Sequence, residues 1–240
     1  MLLEICAFSL DAAVNAAKSG ADRIELCCGA SDGGITPNYA LIKKTCEIVS
    51  IPIYPIIRPR GGDFLYSSDE FEMMKHDIAI CKELGCNGVT FSILLPDNRV
   101  DLKRTSELVE LAYPMDVTFI RGFDITPDPF EALETLKKTG CKRILTSGQQ
   151  GKATDAVTLI KNLVAKAGDD ISIMPGSGIR AENLKMIIQE TGAKEFHASA
   201  RLISVNNNSH FDKFGFGQRI DCDIEEVKNM RKIIDTPSYH

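Results

Sequence analysis

Short apolar runs alternate with longer amphipathic ones from the first residues to about position 200. The runs at 2–6, 23–28, 53–58, 88–94, 116–123, 143–147, 171–175 and 195–200 have the length and apolar content of buried strands. Between them, 9–19, 68–84, 101–112, 129–139, 155–167 and 181–189 repeat apolar residues at three- and four-residue spacing, which predicts helices resting on a sheet. Ser9 and Ser68 stand where N-caps belong, and Gly20, Gly85, Gly140 and Gly192 each follow a helical run, at the left-handed closing position. Around those four glycines one phrase recurs: helix, glycine, small residue, polar residue, strand.

Strict strand–helix alternation implies a parallel sheet with right-handed crossovers. About eight such units in 240 residues predict an α/β fold, a single (β/α)8 TIM-type barrel, with residues 1–240 forming one domain. The rhythm breaks at about 204–223, where Asn206-Asn207-Asn208 and a Gly/Phe-rich patch predict an irregular loop before a closing helix over 224–234. No Gly-x-Gly-x-x-Gly opens the first helix, so no nucleotide cofactor is expected.

Composition narrows the partners. The net charge is −5 with acids and bases interspersed, so neither nucleic acid nor an anionic membrane is an expected partner. The N-terminus has no signal-peptide pattern, and no apolar run approaches the roughly 18 residues that span a bilayer. A cytoplasmic location is expected, with the eight cysteines as reduced thiols. No Cys-x-x-Cys pair occurs, which argues against a zinc ribbon or thioredoxin-like site.

Barrel sites form at the C-terminal ends of strands. Strands one and two repeat each other there, as Leu3-Glu4-Ile5-Cys6 and Ile24-Glu25-Leu26-Cys27, and alternation places each glutamate on the same face as its cysteine. Two lumen-facing thiols on neighbouring strands suit a soft monovalent ion, copper(I) above all, although buried cysteines also serve as plain packing. Paired buried carboxylates need partners, and Arg58, Arg60 and Arg121, at the ends of strands three and five, are the expected ones. Such a set, with Asp124 and His197, suits acid–base chemistry; it equally suits a structural ion-pair network. Gly176-Ser177-Gly178 before a helix, with Ser199 and Arg201 at the end of strand eight, forms a candidate anion cradle. His76, His210 and His240 have no metal-pair spacing and are assigned to the surface or to packing.

Several blocks resemble the CutC copper-homeostasis family. They are Arg23-Ile24-Glu25-Leu26-Cys27, Gly33-Gly34-Ile35-Thr36-Pro37, Arg58-Pro59-Arg60-Gly61-Gly62-Asp63-Phe64, Arg121-Gly122-Phe123-Asp124, Arg143-Ile144-Leu145-Thr146-Ser147-Gly148 and Glu195-Phe196-His197-Ala198-Ser199-Ala200-Arg201. The resemblance spans roughly residues 2–201 and implies a TIM-type barrel that is cytoplasmic, self-associating and concerned with copper. It implies Cys6 and Cys27 as copper(I) ligands. Two departures stand out: strand five has Ile120 where the family usually has histidine and Gly122 where it usually has alanine, and after Arg201 the Asn206-Asn207-Asn208 and Gly215-Phe216-Gly217 runs replace the family's usual tail. Two functions are therefore carried forward: copper(I) binding at Cys6 and Cys27, and an acid–base enzyme for a small anionic or phosphorylated metabolite. The second would use Glu4, Glu25 and His197 for proton transfer, Arg58 and Arg121 as charge clamps, and Gly176, Ser177 and Gly178 as the cradle.

Overall fold

The computed structural model describes residues 1–203 and 219–236. Strands and helices alternate as β1 (Leu2–Ala7), α1 (Leu10–Lys18), β2 (Arg23–Leu26), α2 (Tyr39–Ile48), β3 (Ile53–Pro55), α3 (Ser68–Glu83), β4 (Gly88–Phe91), α4 (Leu102–Ala112), β5 (Asp116–Phe119), α5 (Pro129–Lys137), β6 (Arg143–Thr146), α6 (Val157–Ala167), β7 (Ser172–Pro175), α7 (Ala181–Thr191) and β8 (Glu195–Ala198). All pairs among these strands are parallel, in two ladders of order β3-β2-β1-β8 and β4-β5-β6-β7. A bridge between Ile56 and Thr90 joins the ladders on one side, and β7 packs against β8 on the other. The fold is the (β/α)8 barrel that the alternation predicted.

Period-two alternation sorts each strand into two faces. Leu3, Ile5, Ile24, Leu26, Val89, Phe91, Val117, Phe119 and Phe196 point outward and are buried beneath the helices. On α1 the buried face is Ala12, Ala13 and Ala16, small enough to bring the helix close to the sheet. Ser9 caps it as expected, accepting from the Ala12 N–H at 3.1 Å. The cap of α3 is Ser67 rather than Ser68: its hydroxyl accepts from Glu70 N, and the Glu70 carboxylate accepts from Ser67 N, a capping box. The periodicity reading did not pick out α2, yet its signals are present: Asn38 caps it, and Ile42 and Thr45 form its buried stripe.

Several strands stop earlier than the apolar runs suggested. After β5 the chain leaves the ladder at Ile120 and enters a 3₁₀ turn over Arg121–Ile125, so Arg121 and Asp124 lie on a turn and not on a strand. Beyond the barrel, β9 (Arg201–Ile203) pairs antiparallel with β10 (Ile220–Cys222), which leads into α8 (Ile224–Asp235). The expected loop thus ends in a strand. Its span 204–218, with Asn206-Asn207-Asn208 and His210, lies outside the described residues, as does His240.

The inward faces fill the barrel with an unusual floor. At the strand starts, Arg23 donates to Glu195 at 2.7 Å, Arg143 donates to Glu195 at 3.1 Å and to Asp116 at 3.2 Å, and Tyr54 donates to Asp116 at 3.0 Å. Both guanidiniums lie over the Tyr54 ring, at 5.0 and 5.3 Å from its centroid. Gly88 is required beside this plug, because a Cβ there would sit 2.4 Å from the Tyr54 ring.

Candidate functional site at the mouth of the barrel

Glu4 sits above the floor, fully buried, with Arg23 on one carboxylate oxygen and His197 Nδ1 on the other at 2.7 Å. Strand register produces this: Glu4 lies level with Arg23 on β2 and with His197 on β8. The cation for Glu4 is therefore Arg23, from a strand start, and not Arg58, Arg60 or Arg121. Burial alone would raise the Glu4 pKa, but the charges of Arg23 and His197 outweigh it and hold the carboxyl at about 2.

On the far side of the imidazole, His197 Nε2 lies 3.8 Å from Glu25. Burial works against a charged His197, but the hydrogen bond to Glu4 and the fields of Glu25 and Glu4 raise its pKa. Glu25 moves the opposite way from Glu4. Burial pushes its pKa up, the field of Glu4 adds to that, and neither His197 nor the Thr90 hydroxyl donating at 2.8 Å reverses the direction. The two carboxyls, alike in sequence, thus have split acidities, an arrangement suited to proton transfer.

The thiols meet. Cys6 is level with Glu25, and Cys27 lies one position beyond the end of β2, yet the two sulfurs are 3.6 Å apart. Cys6, Cys27 and a Glu25 oxygen all lie within 4.8 Å of one another. Around the thiols, Ile56, Ile120, Leu145 and Met174 form a compact apolar cluster. Ile120 thus contributes packing, where the resemblance would place an imidazole. Contact with Cys27 favours the Cys6 thiolate, but burial and the charge of Glu25 prevail and raise its pKa. For Cys27, burial, then contact with Cys6, raise the pKa well above the ordinary thiol value.

Above this layer opens a cavity of about 240 Å³ lined by Cys6, Glu25, His197, Arg58, Arg121 and Arg201 among others. Arg58 is buried and spends its terminal nitrogens on backbone carbonyls of Asp32, Gly34 and Gly62, at 2.5, 2.9 and 2.7 Å. Arg60 is turned outward to Asp63 and Glu70. Arg121 reaches the cavity from its turn, braced by Asp124 at 2.9 Å and Ser147 at 2.9 Å. Asp124 also accepts from Thr146, from the backbone and hydroxyl of Ser147, and from Gln149 N. It is a clamp on the β5 and β6 loops that positions Arg121. Gly122 is needed there, since a Cβ would lie 2.5 Å from Ser92 Cβ.

The expected cradle divides. Gly176 faces the lumen, where a Cβ would lie 2.4 Å from Leu145 and 3.3 Å from His197, so it makes room for the histidine. Two donors at the start of α7 are taken: Ala181 N donates to Glu226 at 2.9 Å and Arg180 N to Asn183 at 2.9 Å. Ser177 and Gly178 do line the cavity, with Ser177 in the left-handed region at φ 73°. The Ser177 hydroxyl, donating to the Gly151 carbonyl at 2.7 Å, holds this conformation. Ser199 and Arg201 line the same cavity, and Arg201 lies over the Phe8 ring at 4.9 Å. His76 is exposed on α3. Arg23 and Thr90 were missed by sequence reasoning, although both occupy inward positions that strand alternation exposes.

A closed parallel barrel with thiols, split carboxyls and a histidine at the carboxyl ends of its strands defines a TIM-barrel protein with a pocket at its mouth. Residues 1–202 match the family model described as CutC family, and the chain belongs to that family. It is 50% identical over 203 residues to a protein CutC from Parabacteroides distasonis, covering 84% of each chain. It is 46% identical over 200 residues to the copper homeostasis protein cutC homolog of Homo sapiens, covering 83% of this chain and 73% of that one. A solved structure of CutC from Streptococcus agalactiae superposes with a TM-score of 0.79 at 33% identity, covering 83% of this chain and 98% of that one. Among the described residues no helix is long and apolar enough to cross a membrane.

Proposed function

We propose that this protein binds copper(I) in the cytoplasm through Cys6 and Cys27. The observation that carries the reading is the 3.6 Å contact between two buried thiols from adjacent strands, inside an apolar cluster and beside a cavity. Soft thiolate donors in an apolar setting favour a soft monovalent ion over magnesium or calcium. The name of the human relative supports a role in copper homeostasis. Because both thiols have raised pKa values, capture of the ion displaces their protons, and affinity rises with pH.

An anaerobic copper(I) titration against a competing chelator tests this. One tight site is expected in the reduced protein, lost in the Cys6→Ala, Cys27→Ala double variant. Cys46 and Cys86 make a second thiol contact at 3.6 Å, away from the mouth, so a Cys46→Ser, Cys86→Ser variant serves as control and is expected to keep the site. Binding indifferent to Cys6 and Cys27 would sink the proposal.

The split carboxyls support a second reading, an enzyme of acid–base type in which Glu4, Glu25 and His197 handle protons. Its distinguishing sign is a reaction that survives the loss of both thiols but not Glu25→Gln.

A further inference from the structure

The cavity above the thiols has a composition that neither the thiols nor a bare metal ion requires. Among the described residues three guanidiniums line it, those of Arg58, Arg121 and Arg201, against the single carboxyl group of Glu25. Of the three, only Arg121 has a carboxylate partner among the described residues, Asp124. The described hydrogen bonds of Arg58 go to neutral carbonyls, and its buried Nε has no acceptor. Arg201 is exposed at the rim and steadied by the Phe8 ring, as Arg58 is by Phe64 at 4.9 Å. On a chain of net charge −5, this mouth is a local concentration of positive charge that draws in anions.

The walls set a second condition. Phe8, Ile56, Phe64, Ile120 and Leu145 present carbon surface to the same cavity. A small inorganic anion would leave that surface in contact with water, whereas a ligand with a carbon body would cover it. The volume of about 240 Å³ admits a molecule of on the order of ten non-hydrogen atoms. Arginine forks match carboxylate and phosphate oxygens, and both are the same chemistry for this rim.

We infer that the mouth cavity binds a small organic anion. Its carboxylate or phosphate group lies between Arg121 and Arg201, and its carbon body lies against Phe8, Phe64, Ile120 and Leu145, above His197 and Glu25. This binding function needs neither Cys6 nor Cys27, so it stands or falls separately from copper(I) binding. It narrows the anionic substrate of the acid–base reading to one that carries an apolar body.

Calorimetric titration of the full chain with benzoate and phenyl phosphate tests the inference, with acetate and inorganic phosphate as anions lacking a ring, and benzyl alcohol as a ring lacking charge. One or both ring-bearing anions are expected to bind, and the three controls to bind at least about tenfold more weakly. The preferred ring-bearing anion tells carboxylate from phosphate. Arg201→Gln, at an exposed rim position, is expected to weaken it about tenfold, while the Cys46→Ser, Cys86→Ser variant, altered away from the mouth, binds it as before. No binding by either ring-bearing anion, equal binding of inorganic phosphate, or indifference to both Arg201→Gln and Arg121→Gln would overturn the inference, whatever the copper titration shows.

Discussion

At the residue scale, the protein is governed by one buried chain of charge, from Glu25 through His197 and Glu4 to Arg23. Its titration has a definite sign. Glu4 has its pKa lowered from an ordinary 4.5 to about 2, so its contribution to stability is present above 4.5 and is lost as pH falls towards 2. His197 has a raised pKa, so its contribution is full below its ordinary 6.5 and is lost as pH climbs through the higher folded value. Glu25, also raised, opposes folding as pH rises above 4.5 towards its higher folded value. Urea midpoints measured across pH are therefore expected to fall on both sides of a maximum between these limits. His197→Gln should flatten the loss above 6.5 while much of the acid limb persists, because Arg23 still holds Glu4. An unchanged alkaline limb in that variant would show that the imidazole is not the titrating group.

At the element scale, capping decides where helices begin and hence where the loops of the mouth leave the barrel. The capping box of Ser67 and Glu70 fixes the start of α3, directly after the loop that carries Arg58, Arg60 and Phe64. Ser67→Ala is expected to cost about 1 kcal/mol in chemical denaturation, and Ser68→Ala less than about 0.5 kcal/mol. Equal effects at the two serines would move the cap back to Ser68. The 3₁₀ turn after β5 shows a related effect: many donors converging on Asp124 pull the chain out of the ladder and bring Arg121 over the cavity.

For the whole molecule, the barrel divides into a floor of ion pairs and a mouth of thiols, split carboxyls and arginines. In barrels of this type the bottom face carries stability and the top face carries function. Arg143 bridges Glu195 and Asp116 in the floor and is buried. Arg143→Met is expected to destabilise by about 3 kcal/mol or more, since it leaves two carboxylates without that cation, while copper(I) affinity at the mouth stays unchanged. Denaturation and copper titration on one preparation check both halves. A variant as stable as the parent would remove the floor from the account of stability.

The sequence by itself determined the barrel, because strand–helix periodicity and the four closing glycines are local properties that each unit carries alone. It determined also that Glu4 shares a face with Cys6 and Glu25 with Cys27, since alternation along a strand is local too. Partners across strands were decided only by tertiary structure. A shift of register between β1 and β2 places Glu4 against Arg23 instead of Glu25, and brings Cys27 onto Cys6 from two positions beyond Glu25, the residue level with Cys6. The same closure gives Glu4 and Glu25 opposite acidities from near-identical sequence, because one faces a buried guanidinium and the other faces thiols and apolar walls. Long-range register and local dielectric are properties of the closed barrel, and no window of the chain contains them.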